Sequence, residues 1–442
     1  MFWNIGITRE NNRKLLVLIG VMLSAMLLPS FAVNWHLPNI RLDDALLFGI
    51  YALNILLYLA GGRRLASDAT SALQKQEQAL KSIRKIFLVF TAAIIVSNIY
   101  GVLILKGTFN LRDVMEFVTL AKYYLVITLA IALELGPNEY TKLKRTFLVG
   151  FAVVLLIVWA QNLNIGDFNH ILAPFFDPAH WDTLIYGNPA RVLAAFDNPN
   201  VTGTFALMVL AIVTTRFYFS RDTVKNAILP VILLSLIIKL IFLTISRTAL
   251  MGTGIMLTFL SLWALFKLRW DKQILVKVGV LFLITLALFF TSPRSFTSRM
   301  NEGVHFDTST SAQGHVKRWG SALAMIEHSP VFGWGTQKSN MTTLVDDEYE
   351  LITRRYGIVG LAIYLWLFIN PFIIALKRGR SFTKSDWSGV IEPRTMFAIA
   401  YTGATIAVLL YNITGGTFYN LQLMTLFGIF MGFVYNLKRD AG

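Results

Sequence analysis

The chain has no cysteine in 442 residues, which removes disulfides, thiolate nucleophiles and Cys-ligated metals and says little about compartment. Charge is scarce as well. Only 15% of residues are charged against 55% hydrophobic, with a mean hydropathy of +0.59, a composition that excludes a soluble cytosolic enzyme. Apolar runs recur from near residue 15 to residue 435, so residues 1–442 read as a single polytopic membrane domain. A Walker lysine, HExxH and GxSxG are all missing. Gly333, Gly335, Gly357 and Gly360 form neither a P-loop nor a Rossmann fingerprint. The acidic pairs Asp43/Asp44 and Asp346/Asp347 lack the spacing of a metal motif. ATP hydrolysis and zinc chemistry are thereby excluded, and neither a cofactor nor a metal is expected.

What is present is a series of apolar runs, nearly all of the roughly 18–25 residues that cross a bilayer as a helix. They predict spans at 15–33, 42–60, 86–105, 114–135, 146–163, 200–215, 226–245, 248–266, 273–291, 357–376, 395–413 and 416–435. The first follows Arg9, Arg13 and Lys14 like a signal peptide, but it is long and lacks a small-x-small cleavage site. It reads as an uncleaved span. The expected fold class is all-α: a polytopic integral membrane protein of about 12 transmembrane helices.

A formal charge of +15 could point to nucleic acid, but in a membrane chain basic residues first set orientation. With the N-terminus inside, the cytoplasmic segments hold 25 of the 40 basic residues, and each has at least two. The opposite threading violates the positive-inside rule almost everywhere. Both termini are therefore expected in the cytoplasm, with no nucleic-acid partner. The cytoplasmic stretch GGRRLASDATSALQKQEQALKSIRK reads as a helical hairpin arm on anionic lipid.

Two outer segments are long: 164–199, the third periplasmic loop, and 292–356, the fifth, which holds amphipathic helices. All six histidines, His36, His170, His180, His305, His315 and His328, fall outside. Long loops on a rigid scaffold are where chemistry is usually placed; the alternative is that only these polar regions are long enough to hold histidines. Within the fifth loop, HVKRWGSALAMIEH spaces Trp319, Leu323 and Ile326 as an amphipathic helix on the membrane face. Val345, Tyr349, Ile352 and Tyr356 make a second stripe, and Asp346, Glu350 and Arg354 stand four apart on another face, as in a surface ion-pair ladder.

Three outer arginines stand out. Arg191 precedes the sixth span, Arg247 joins the seventh to the eighth, and Arg318 begins the amphipathic helix. An arginine between tightly connected apolar spans is costly in lipid unless it faces a polar cavity, a partner or the headgroups. Guanidinium pairs bidentately with phosphate, so three converging arginines suggest a lipid-linked phosphate. The bland readings are snorkelling for Arg247 and a buried pair with Asp197 or Asp182 for Arg191; Lys317 would serve a headgroup as well as Arg318. The turn at Asn198–Asn200 opens a helix whose free N–H groups could also hold an anion.

Four blocks, RVLAAFDNPNVTG, SRTALMG, RWGSALAMIEHSPVFGWG and DDEYELITRRYGIVGL, resemble in order and spacing the O-antigen ligase and O-antigen polymerase superfamily. The first is similar to that family's Arg-x-x-Gly-x-Phe-x-Asn-Pro-Asn pattern, the third to its basic-Trp helix followed by Pro-x-x-Gly-x-Gly. The resemblance covers about residues 185–375; residues 1–184 match in topology only. Ala194 stands where the family has glycine, a departure expected to affect packing. Where ligases begin the last block with His-Asn-x-Tyr/Phe, this chain has Asp346, Asp347, Glu348 and Tyr349. Within the superfamily that the chain resembles, an acidic start is more typical of polymerases and exopolysaccharide enzymes.

The resemblance implies a glycosyltransferase of the bacterial inner membrane. In it, a glycan leaves undecaprenyl diphosphate for a sugar hydroxyl of the next lipid-linked repeat at the periplasmic face. The lipid-linked oligosaccharide is then donor and acceptor, membrane lipid surrounds the site, and a polymerase would work beside a chain-length regulator. Arg191, Arg247 and Arg318 are candidates to hold the departing diphosphate without a metal. Asp346 is the first candidate for general base, with Glu348 and His315 behind it. Alternatives are an O-antigen ligase, which differs in its acceptor, and, in another class, a secondary transporter or flippase, for which no two similar halves are visible.

Overall fold

The computed structural model describes residues 2–29, 41–59, 71–133, 135–176, 184–185, 191–196, 198–220, 224–292, 296, 310–338, 347–382 and 392–437. Among them the chain forms helices and no strand. The elements are α1 (Phe2–Leu27), α2 (Leu42–Leu59), α3 (Ser71–Leu103), α4 (Leu111–Ala132), α5 (Pro137–Leu163), the short α6 (Phe168–Leu172) and α7 (Pro199–Phe219). They continue as α8 (Val224–Thr244), α9 (Arg247–Lys267), α10 (Lys272–Phe290), α11 (Thr310–His328), α12 (Glu348–Ser381), α13 (Pro393–Tyr411) and α14 (Leu421–Leu437).

Nine of the described helices are long and apolar enough to cross a membrane, and α1, α2 and the 17-residue α14 fall at the other three expected positions. Their burial separates core from periphery. In α7, 89% of the apolar window is inside the protein, whereas in α10 only 17% is, so α10 turns most of its surface outward. α7 packs against α8, α9 and α13, and α4 against α14. Small residues allow the close approaches: a Cβ on Gly203 of α7 would lie 2.6 Å from the Ala249 Cβ of α9, and one on Gly432 of α14 2.4 Å from the Ala130 Cβ of α4. Hydrophobic side chains exposed along α3 and α10, such as Leu88, Ile99, Phe282 and Phe290, suit hydrocarbon contact.

Helix starts are set by short polar side chains that accept otherwise unpaired N–H groups. Asn198 accepts from Asn200 ahead of Pro199 in α7, Ser246 from Ala249 in α9, Asp271 from Gln273 in α10, and Asp347 from Tyr349 and Glu350 in α12.

Several helices start before the apolar run that marks them, among them α1 at Phe2, α5 at Pro137 and α12 at Glu348, and two differences change the reading. Residues 71–85 are not part of a separate hairpin arm but continue into α3; residues 60–70 lie outside the described residues. Ala, Gln, Lys and Glu favour helix without making an apolar stripe, which is why hydropathy placed the start at 86. The last span starts at Leu421 rather than 416, because Asn412–Asn420 forms an irregular loop.

The charges carried into the bundle are paired. Asp43, fully buried, lies 2.9 Å from Arg41 Nε and 2.6 Å from Lys122 Nζ, which also meets Asp44 at 2.6 Å. Ser24 donates to Asp43, and Arg41 Nη2 donates to the carbonyls of Ser24 and Leu28. Two cations and two carboxylates thus fasten α1, α2 and α4 together. Lys277 of α10 donates 2.6 Å to Phe217 O and also to Ser220 O, closing the end of α7. Replacing Lys122 with methionine removes one of the two cations at Asp43 and is expected to cost about 3–5 kcal/mol. This would be read as a lowered thermal midpoint in detergent; an unchanged midpoint would mean that Arg41 alone satisfies Asp43.

Candidate functional site

Residues 191–196 form an irregular segment at the entry to α7, and three side chains hold its backbone. Gln161, near the end of α5, accepts from the N–H groups of Leu193 (3.1 Å) and Ala194 (2.8 Å) and donates to Ala194 O at 2.9 Å. Thr202 donates to Leu193 O at 2.6 Å, and Gln422 to Ala195 O at 2.9 Å. Ala194 has φ +53°, in the left-handed region that glycine occupies readily. Alanine there bears on backbone conformation and not only on the packing expected from the resemblance.

Arg191 sits at the edge of this segment. Its Nε donates to Thr244 O at 2.8 Å and its Nη2 to Asn200 Oδ1 at 3.0 Å, both uncharged acceptors. Asp182 and Asp197, weighed as its partners, lie outside the described residues. Thr244 is the last residue of α8 and Arg247 the first of α9, so Arg191 is bonded to the turn that opens on Arg247. A cation in the first turn of a helix adds to the positive end of the helix dipole, so this corner attracts an anion more strongly than the N–H groups alone would.

The loop Asn412–Asn420 links that corner to the start of α12. Thr248 of α9 and Thr414 share a hydroxyl–hydroxyl hydrogen bond. On the other side, the Glu348 N–H donates to Asn412 O at 3.0 Å, and Glu348 Oε2 accepts from Phe418 N at 2.9 Å. Asn412 Oδ1 accepts from the Thr417 hydroxyl at 2.6 Å and Nδ2 donates to Tyr364 at 2.7 Å. The chain passes so close to Glu348 that a Cβ on Gly416 would lie 2.9 Å from its Oε2. Glu348 is fully buried, and its Oε1 makes no hydrogen bond. Beside it, burial pushes the Asp347 carboxyl up, against the lowering effect of its bonds from Glu350 and Tyr349 N–H.

Arg191, Arg247 and Glu348 thus border a connected set of loops. Arg318 stands on α11, which packs on α12, and its Nε donates to Gly314 O of its own helix at 3.1 Å. Asp346 and the His315 side chain lie outside the described residues. Among the histidines whose side chains are described, His328 is exposed and His170 pairs with Asp167 at 2.7 Å, which holds that carboxyl below its ordinary range.

On the far side of the same loop lies a charge cluster that the motifs did not single out. Glu116 of α4, fully buried, accepts from the Tyr419 hydroxyl at 2.6 Å and meets Lys338 Nζ at 2.9 Å and Arg355 Nη1 at 3.9 Å. The Arg355 guanidinium lies 4.7 Å from the centre of the Tyr419 ring. Arg354 beside it is 2% exposed, so the expected surface ladder with Glu350 is corrected: that arginine faces inward. The paired arginines of TRRYG, next to the acidic block, were the available signal.

The glycines of the third and fourth blocks make a backbone clasp. α12 is broken at Gly357 (φ +64°, ψ −170°), a conformation reserved to glycine. Trp334 N donates to Arg354 O at 2.9 Å, Gly335 N to Arg355 O at 2.8 Å, and Ile358 N to Pro330 O at 2.8 Å. A Cβ on Gly357 would fall 1.9 Å from Val331 O. Trp334 Nε1 donates back to Met325 O of α11 at 2.8 Å, fixing α11 against this seam.

Residues 230–365 match the Wzy_C family, described as O-antigen ligase. The stretch runs from within α8 into α12 and includes Arg247, Arg318, Glu348 and the clasp; Arg191, Glu116 and the Asn412–Asn420 loop lie beyond it. The resemblance to the O-antigen ligase and polymerase superfamily holds over that stretch. No curated protein matches the chain.

Two substitutions test the backbone reading. Ala194→Gly should change stability by less than about 1 kcal/mol, relief of left-handed strain offsetting a lost methyl and added chain entropy. Ala194→Val, β-branched at the same φ, should cost about 2 kcal/mol more. Equal thermal midpoints in detergent for the two variants would rule out the left-handed backbone at 194.

Proposed function

Taking a multi-pass membrane chain with an O-antigen ligase family match over residues 230–365 as the premise, we propose that it is a surface-polysaccharide polymerase. In this reading the growing glycan leaves its undecaprenyl diphosphate for a sugar hydroxyl of the next lipid-linked repeat, at the periplasmic face of the inner membrane. The observation that carries it is the bond of Arg191 to the α8–α9 turn that opens on Arg247, which sets two arginines at a helix start that suits a diphosphate.

As the glycosyl bond breaks, negative charge accumulates on the leaving diphosphate. Fixed guanidiniums in a water-poor setting stabilise that charge more than they stabilise the ground state. Arg191 and Arg247 take this role from one side, and Arg318 on α11 is the third donor. The acceptor hydroxyl loses its proton as it attacks the anomeric carbon from the opposite side, and a single displacement of this kind inverts that centre. Asp346 is the first choice of base. Glu348 is the second, with Oε1 left to take a proton while Oε2 holds the Phe418 N–H, and His315 is the third. A chain-length regulator would act beside such an enzyme.

The acidic start of the last block, Asp346–Asp347–Glu348, supports polymerase over ligase. The description of the matched family favours the second reading, a ligase that passes finished polymer to a lipid A core sugar from the same diphosphate site.

Deleting the gene and profiling surface glycan alongside lipid-linked intermediates separates the readings. Loss of the polymer ladder to single repeats is expected; polymer still built on undecaprenyl diphosphate but absent from the lipid A core would mean ligase, and an unchanged profile would reopen a transport role. Arg247→Ala should lower polymer by about 100-fold or more with the protein still inserted. Near-normal polymer from that variant removes Arg247 from the site. Asp346→Asn should act likewise, and activity retained there moves the base to Glu348 or His315.

A further inference from the structure

At the end of the bundle opposite the candidate site, α1, α5, α7, α13 and α14 line a half-open cavity of ≈ 640 Å³. This is the size of a small-molecule site, and its walls are apolar. Phe147 and Phe397 both pack on Phe430, with ring centres 5.7 and 5.6 Å away, and Phe397 also meets Phe433 at 6.1 Å. Polar groups gather at one end only. There Arg394 reaches across to donate to Leu135 O at 2.9 Å, Lys144 is exposed, and Glu392 is engaged by Arg378 at 2.5 Å. Of the charged residues that line the cavity, Lys144 and Arg394 are cations and Glu392, already paired with Arg378, is the one carboxylate; Lys142 and Arg145 stand exposed on the same turn of α5 as Lys144.

An apolar slot with a cationic rim at one end matches an amphiphile with an anionic head. A soluble metabolite would leave most of the wall unsatisfied, and a zwitterionic head would gain little from the excess of cations. The basic loops at this end put it on the cytoplasmic side by the positive-inside rule, where anionic headgroups meet basic pockets between transmembrane helices. We propose that this cavity binds an anionic phospholipid of that leaflet, one acyl chain lying among Phe147, Phe397 and Phe430 and the phosphate between Lys144 and Arg394. The lipid bridges α5 to α13 and α14, two elements distant in sequence, and stabilises their packing by binding only the folded chain. The inference does not depend on the transfer reaction.

The test uses the full chain in non-ionic detergent, with dioleoylphosphatidylglycerol and dioleoylphosphatidylcholine added in competition and retention read by native mass spectrometry. Retention of phosphatidylglycerol should exceed that of phosphatidylcholine at least about five-fold, and Lys144→Gln should cut the preference by roughly that factor. Ile212→Trp, which fills the slot, should lower retention of both. Equal retention of the two lipids by the wild-type chain overturns the proposal, as does a preference that neither variant changes. Displacement of phosphatidylglycerol by an equimolar amount of undecaprenyl phosphate overturns it too, since the slot would then select a polyprenyl chain. Lys144 is exposed, so its variant remains informative if Ile212→Trp misfolds.

Discussion

A bilayer offers no water to a polar group, so each one that the chain carries inward must be answered by the chain itself. The interior charges follow from this constraint. Asp43 is met by Arg41 and Lys122, Glu116 by Lys338, Arg355 and Tyr419, and Lys277 by two carbonyls at the end of α7. Each answer comes from a different element, and so each fixes how two or three helices sit. Apolar contact alone would not, because lipid tails compete for it on nearly equal terms. Register in this bundle is set by a few buried polar pairs and by glycines at close approaches.

The same constraint shapes the end of the bundle that carries the Asn412–Asn420 loop. The Asn412–Asn420 loop is irregular backbone, and its donors and acceptors are consumed locally by Glu348, Asn412 and Thr417. Arg191 and Arg247 border one flank through Thr248 and Thr414, while Glu116 and Arg355 border the other through Tyr419. Two groups of cations therefore stand on either side of a single short loop.

Most spans were legible because an apolar run of membrane length has few alternatives. Boundaries were less so. The polar half of α3 hid in a sequence rich in helix formers but without an apolar stripe, and the loop before α14 was mistaken for span because Thr417, Phe418 and Tyr419 read as apolar despite Gly415 and Gly416. Arg191 and Arg247 drew notice as arginines at junctions of apolar runs, yet nothing local reveals that the first is bonded to the turn that opens on the second. Glu116 lies far in sequence from Lys338, Arg355 and Tyr419, and a lone carboxylate in a span carries no record of its partner. Arg354 looked like surface because four-residue spacing of opposite charges is usually solvated.

The break in α12 has a consequence for motion. In an unbroken helix the Arg354 carbonyl would accept from Ile358 N–H. Here Ile358 turns to Pro330, and the Arg354 carbonyl is taken by Trp334. The segment 330–335 and the helix thus draw on one shared set of donors and acceptors, and the bent arrangement pairs Trp334 N–H, Ile358 N–H and the carbonyls of Arg354 and Pro330 together. Straightening α12 would therefore give up the bonds of Trp334 to Arg354 and of Ile358 to Pro330 together, leaving Trp334 N–H and Pro330 O to find other partners. Any force on α11, through Trp334 and Met325, would reach the bend that aims Arg354, Arg355 and Glu348.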